Sequence, residues 1–150
     1  MNPHLEAHRE LTVKRWRQLV AEYQHPDTRT SIWQVINTFG GLLACWVAIY
    51  FALQVSIWLA LLLAIPTGGF MVRIFIIQHD CGHGSLFRSR KANDSVGMAC
   101  GVISLVAYRY WRKSHALHHA HSADLGERGI GDVWTMTVKE YLAAPRWQRV

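Results

Sequence analysis

Residues 30–72 read TSIWQVINTFGGLLACWVAIYFALQVSIWLALLLAIPTGGFMV, and no Asp, Glu, Lys or Arg interrupts them. The interval is 43 residues long, whereas one membrane-spanning helix needs about 20. It is too long for one span and accommodates two, joined by an uncharged link near Gln54 to Ser56; the first runs from about Ser31 to Tyr50, and the second starts near Val55 and reaches about Ile77, past Arg73. A soluble chain of 150 residues would have little polar surface left to enclose such a stretch. Pro66, Gly68 and Gly69 fall inside the second span, where neighbouring helices can satisfy freed backbone groups. Trp33 and Trp58 suit interface anchors, and Trp46, deeper in the first span, suits packing.

The flanks set the orientation. All 16 Lys and Arg residues lie outside the interval, giving Lys14-Arg15-Trp16-Arg17 and Arg29 before it, and Arg73, Arg88, Arg90 and Lys91 after it. Short loops rich in Lys and Arg stay cytoplasmic, so both ends are expected on that side. The division that follows is a cytosolic segment 1–30, a two-helix hairpin 31–77, and a cytosolic or interfacial part 78–150. The net charge of +6 does not point to nucleic acid, because the cations are scattered and no recognisable module carries them. Three cysteines without a Cys-x-x-Cys give no disulfide framework. Met1-Asn2-Pro3-His4-Leu5-Glu6 is not a secretory signal, so the first span would serve as its own targeting signal.

Beyond the second span the chain turns rich in histidine. His79-Asp80-Cys81-Gly82-His83 follows it directly, and His115-Ala116-Leu117-His118-His119 comes 32 residues after His83. Residues three and four apart share a helix face, so each cluster can aim its imidazoles at one point. His4 and His8 have the same spacing in a polar N-terminal helix (about 5–24), where surface histidines are the plainer reading. Asp80 reads either as an acceptor that fixes a histidine tautomer or as a surface charge. His121 reads as a neighbour without a metal bond, and His25 as a turn residue before Pro26. Between the clusters, Ser89 to Asp94 is expected to be a polar loop. Val96 to Ala107, a 12-residue apolar run, is too short to span and should lie in the interface or re-enter. Gly97 and Gly101 within it have a helix-packing spacing. Gly82, Gly84 and Ser85 should keep the first cluster slim. From Ala123 onward the tail, with Gly126, Gly129, Gly131 and then Asp132-Val133-Trp134-Thr135, reads as a loop followed by a short amphipathic helix.

Imidazole binds iron, zinc, copper and nickel. Zinc sites close with three or four ligands, often including Cys. Here the imidazoles are too many for one zinc, and Asp80 stands where a His-x-x-x-His zinc protease carries Glu. Two iron ions in a nitrogen shell fit better, and a site beside lipid faces unactivated hydrocarbon, which calls for dioxygen and a redox metal. The alternative of another class is a membrane protein that holds metal without catalysis.

His79-Asp80-Cys81-Gly82-His83-Gly84-Ser85-Leu86-Phe87 and Trp111-Arg112-Lys113-Ser114-His115-Ala116-Leu117-His118-His119 resemble the first and second histidine boxes of the integral membrane fatty acid desaturases. Asp-Cys-Gly between the first two histidines looks most like acyl desaturases acting on already unsaturated or mid-chain positions. Gly131 to Tyr141 looks like bacterial members, and the resemblance covers roughly Ile32 to Tyr141. It implies an all-α membrane protein, a transmembrane hairpin with cytosolic histidine-bearing helices. It also implies a diiron enzyme that uses dioxygen and two electrons to place a double bond in a fatty acyl chain. His79, His83, His115, His118 and His119 would be the iron ligands. Electrons would come from a partner such as ferredoxin or cytochrome b5, docking on Arg88, Arg90, Lys91, Arg112 and Lys113; membrane-surface contact is the other reading of those charges. Related lipid hydroxylases share the histidine pattern. The family's third box, a further His-x-x-His-His, has no counterpart, since no histidine follows His121. The resemblance therefore implies an N-terminal part of a longer protein, inactive alone.

Overall fold

The computed structural model describes residues 3–21, 23–121, 124–126 and 135–149, with side chains from residue 12 onward. Every element among them is helical: α1 (Pro3–Ala21), α2 (Thr28–Ala52), α3 (Ile57–His83), α4 (Arg90–Ile103), α5 (Tyr108–Ala120), α6 (Val138–Ala143) and a 3-10 turn at Arg146–Gln148. The chain forms two compact units, Met1–Tyr108 and Arg109–Val150.

In the first unit α2 packs on α3 and α3 on α4. The two long helices, of 25 and 27 residues, are both long and apolar enough to cross a membrane. Their starts are marked by side-chain caps. Asp27 accepts the Arg29 N–H at 3.0 Å and the Thr30 hydroxyl; those bonds, Thr30's first, hold its carboxyl below the usual range. The cap therefore persists as pH falls past the ordinary aspartate range and is lost only through the lowered value. Ser56 caps α3, accepting the Trp58 N–H at 3.3 Å. Between the helices, a Cβ on Gly41 would lie 2.3 Å from the Phe70 ring and would push it aside. Thr38, Leu42 and Ala52 are buried on α2, with Cys45 and Ile49 half-buried between them. Trp46 sits one residue off this line and is about half exposed, contrary to the packing role expected for it. Outward faces carrying Trp33, Tyr50, Leu62 and Ile65 are what lipid requires and water does not.

The far end of the hairpin is tied by polar groups. Ser31, buried, shares its hydroxyl proton between Asp27 O at 2.9 Å and Leu86 O, joining the start of α2 to the loop after α3. α3 stops at Gly84 with φ 73°, where the Gly84 N–H bonds to Cys81 O and the Ser85 N–H to Asp80 O, both at 3.0 Å. This is a Schellman end. The demand on Gly84 is thus a left-handed conformation as well as slimness.

The polar run Ser89–Asp94 is not a loop. Ser89 caps α4 through the Ala92 N–H (3.3 Å), Arg90 pairs with Asp94 at 3.6 Å, and the helix runs from Arg90. Polarity marks an exposed first turn as readily as a loop, which is why the sequence misleads here. Asn93 turns back and is buried: its amide nitrogen donates to Phe87 O at 2.6 Å and Ser89 O at 3.0 Å, while its oxygen accepts the Phe87 N–H at 3.1 Å. Cys100, fully buried on α4, has its thiol pushed up to about 11 by burial. Gly97 and Gly101 serve the chain's own reversal. A Cβ on Gly97 would meet the Tyr108 ring at 2.4 Å, and one on Gly101 would meet Val106 O at 2.6 Å. Leu105 makes that turn with φ 57° and is 92% exposed, a left-handed conformation that costs a non-glycine residue about 1–2 kcal/mol.

The second unit holds the rest of α5 and α6. The short helix expected near the C-terminal end is α6, opened by a capping box: Thr137 Oγ1 accepts the Glu140 N–H (3.2 Å) and Glu140 Oε2 accepts the Thr137 N–H (2.7 Å). Gly129, Gly131 and the run Asp132 to Trp134 lie outside the described residues.

Asn93→Ala removes three bonds and leaves the Phe87 N–H and C=O unmatched, a loss of about 1–3 kcal/mol. Thermal unfolding of the detergent-solubilised protein should show a lower Tm, and Asn93→Asp should lower it at least as much, because it sets a carboxylate oxygen against the Phe87 and Ser89 carbonyls.

Candidate metal centre

A 27-residue helix is about 40 Å long, longer than the roughly 30 Å of a bilayer's hydrocarbon. His79 and His83 ride on the last turn of α3, about 33 and 39 Å from its start. α3 thus carries them past the length a membrane absorbs. Its rotation is held by neighbours: Gln78 is fully buried and its Oε1 accepts the Ser104 hydroxyl at 2.9 Å, and Cys81 is fully buried too. With 78 and 81 turned inward, 79 and 83 fall on the other side.

The two rings meet edge-on, centroids 4.5 Å apart, with Nε2 to Nε2 at 3.3 Å. Two imidazoles bound to one ion at about 2.0–2.1 Å each, in tetrahedral or octahedral geometry, have their nitrogens about 3 Å apart. The pair therefore sits as two ligands of one ion would. Asp80 Oδ1 lies 3.3 Å from His79 Nδ1. With the Nδ1–H donated there, the His79 Nε2 lone pair is left for a metal. Of the two roles weighed for Asp80, this contact favours the orienting one.

α5 repeats the device in the second unit. His115 and His119, one turn apart, place Nε2 and Nε2 3.1 Å apart, their centroids 4.5 Å apart. Trp111, one turn earlier, stacks flat on His115 at 4.7 Å and 14°. His118 lies beside them, its ring 5.9 Å from that of His115 and 5.5 Å from that of His119. His121 points its Nδ1 at Leu117 O, 3.2 Å away, and so helps close the C-terminal end of α5. The backbone of His4 and His8 is helical, and their side chains lie outside the described residues.

Two supporting residues were not singled out from sequence. Trp111 carried a signal, an aromatic four residues before a histidine on one helix face. Gln78 carried another, a lone amide at the end of an apolar run. The donor set, ring nitrogens at ion-sharing distances with a carboxylate behind one of them, fits a divalent transition metal such as iron.

Comparison with known proteins gives the family. The family model described as fatty acid desaturase matches residues 56–149. A fatty acid desaturase of Bacillus subtilis is 43% identical over 133 residues, 89% of this chain and 38% of the relative. The omega-3 fatty acid desaturase fat-1 of Caenorhabditis elegans is 35% identical over 82 residues, 55% of this chain and 20% of the relative. A Synechocystis protein named sn-1 acyl-lipid omega-3 desaturase (ferredoxin) is 40% identical over 52 residues, 35% of this chain and 14% of the relative. The chain spans 38% or less of the length of these relatives. No solved structure matches. With the match reaching over both histidine clusters, the chain belongs to the fatty acid desaturase family.

Proposed function

We propose that this chain supplies two membrane spans and part of the histidine ligand set of an enzyme that desaturates fatty acyl chains with dioxygen at two iron ions. The observation that carries this is the pairing of ring nitrogens, 3.3 Å between His79 and His83 and 3.1 Å between His115 and His119, in a chain of this family. Residues 31–77 cross the membrane, and 1–30 and 78–150 stay on the cytoplasmic side, a reading supported by Lys and Arg on both flanks. His79, His83, His115, His118 and His119 hold the metal through neutral imidazole. A further His-x-x-His-His segment outside this chain completes the shell.

Iron, when bound, supplies the activation of dioxygen that no side chain can perform. The overall change is a CH2–CH2 unit plus dioxygen, two electrons and two protons giving CH=CH and two waters. The chain's own residues position the ligands. Asp80 holds the His79 proton on Nδ1, and Trp111 fixes the plane of His115. The outward apolar faces of α2 and α3 keep the site at a lipid surface, where acyl chains are the substrate to hand. Electrons arrive from a partner. The name of the Synechocystis relative includes ferredoxin, and the cations of Arg88, Arg90, Lys91, Arg112 and Lys113 suit an acidic ferredoxin or cytochrome b5.

Expression of the full gene in a host with saturated or monounsaturated lipids should yield new double bonds in the acyl profile. His118→Ala should abolish them while membrane insertion is retained; persisting double bonds would remove His118 from the ligand set. Hydroxylated chains without new double bonds would make the protein a lipid hydroxylase instead.

A further inference from the structure

A cavity of ≈ 280 Å³ opens between α2 and α3, lined by Gln34, Thr38, Arg73, Ile76, Ile77 and Asp80. None of the metal-ligand histidines lines it. Arg73 breaks the apolar character of α3, and its placement is built. Its Nη2 donates to Asn37 Oδ1 at 2.6 Å, and its guanidinium lies over the Phe70 ring, 5.9 Å from the centroid. Asn37 Oδ1 also takes the Thr38 hydroxyl at 3.3 Å. One of the five N–H donors of the guanidinium is spent on Asn37, and the fork geometry suits a phosphate.

Depth is fixed by helical rise. Arg73 is about 24 Å from the start of α3 and Asp80 about 35 Å. Seven residues apart, they share one face of the helix. The cavity therefore straddles the roughly 30 Å limit of the hydrocarbon, the level at which lipid headgroups begin. The Arg73 guanidinium, held between Asn37 and the Phe70 ring, marks the inner edge of that zone. A cation at the inner edge and a carboxylate at the outer edge, with an amide and a hydroxyl between, complement a headgroup that carries both charges. A second negative charge would meet Asp80, and a headgroup without phosphate would leave Arg73 unused.

We propose that this cavity binds the headgroup of a zwitterionic glycerophospholipid, its phosphodiester on Arg73 and its ammonium toward Asp80. The inference rests on the membrane reading above and deepens it: the acyl chain would be presented while esterified in a phospholipid.

The full-length protein, purified in detergent, is titrated with phosphatidylethanolamine, phosphatidylglycerol or diacylglycerol of matched chains, and retained lipid is counted by native mass spectrometry. Phosphatidylethanolamine should bind about tenfold more tightly than either rival, and Arg73→Gln should weaken it about tenfold. Arg73→Lys keeps the interfacial charge and loses the fork, so it should fall between them and guards against a variant that fails to fold. Equal retention of phosphatidylethanolamine and diacylglycerol would overturn the proposal. So would phosphatidylglycerol bound as tightly, or Arg73→Gln binding like the parent. The readout does not need turnover. Lipid selectivity without desaturation would defeat the functional reading alone, and desaturation without selectivity would defeat this one alone.

Discussion

A helix rises 1.5 Å per residue, and a hydrocarbon layer about 30 Å thick absorbs only some 20 of the 27 residues of α3. The rest of the first unit follows from that surplus. In a bilayer entered at the start of α3, about two turns of helix would project beyond the apolar zone, and those turns carry Gln78, His79, Asp80, Cys81 and His83. Inside the zone, α2 and α3 need only apolar outer faces and a close seam at Gly41 and Phe70. Outside it, backbone and side-chain polar groups must find partners, and the structure provides them locally. Ser31 reaches Leu86, Asn93 clasps Phe87, and Ser104 meets Gln78. These latches hold the end of α3 so that its histidines face one direction.

The same spacing rule makes both histidine pairs. In α3 and again in α5, histidines four residues apart bring Nε2 atoms to within 3.3 Å with no help from distant elements. What differs is the support. His79 has a carboxylate behind its Nδ1, whereas His115 has an indole against its face. One fixes a tautomer and the other fixes a ring plane. A metal ligand needs both, since its lone pair must exist and must point correctly.

Much of this was legible in the sequence because the governing periods are short and strong. A charge-free run of 43 residues announces two helices whatever surrounds it, and histidines at i and i+4 announce a shared face. The errors fall where composition cannot separate two local structures. Ser89–Asp94 is polar both as a loop and as the first turn of a helix, and only the Ser89 cap and the inward turn of Asn93 decide it. Trp46 was placed by depth, but its exposure is set by rotation about α2, one residue away from the inward line. The Gly97 and Gly101 spacing correctly signalled close packing, yet what approaches is the returning chain at Val106 and Tyr108. The need for a positive φ at Gly84, and its presence at Leu105, depend on how each helix ends.

Imidazoles that ligate iron at a membrane surface must leave iron in the purified protein. Metal analysis of the full-length protein, purified from membranes without added metal, tests it most directly. About two iron ions per chain are expected, falling when His79 or His115 is changed to Ala. Stoichiometric zinc with no iron and no dioxygen uptake would contradict it.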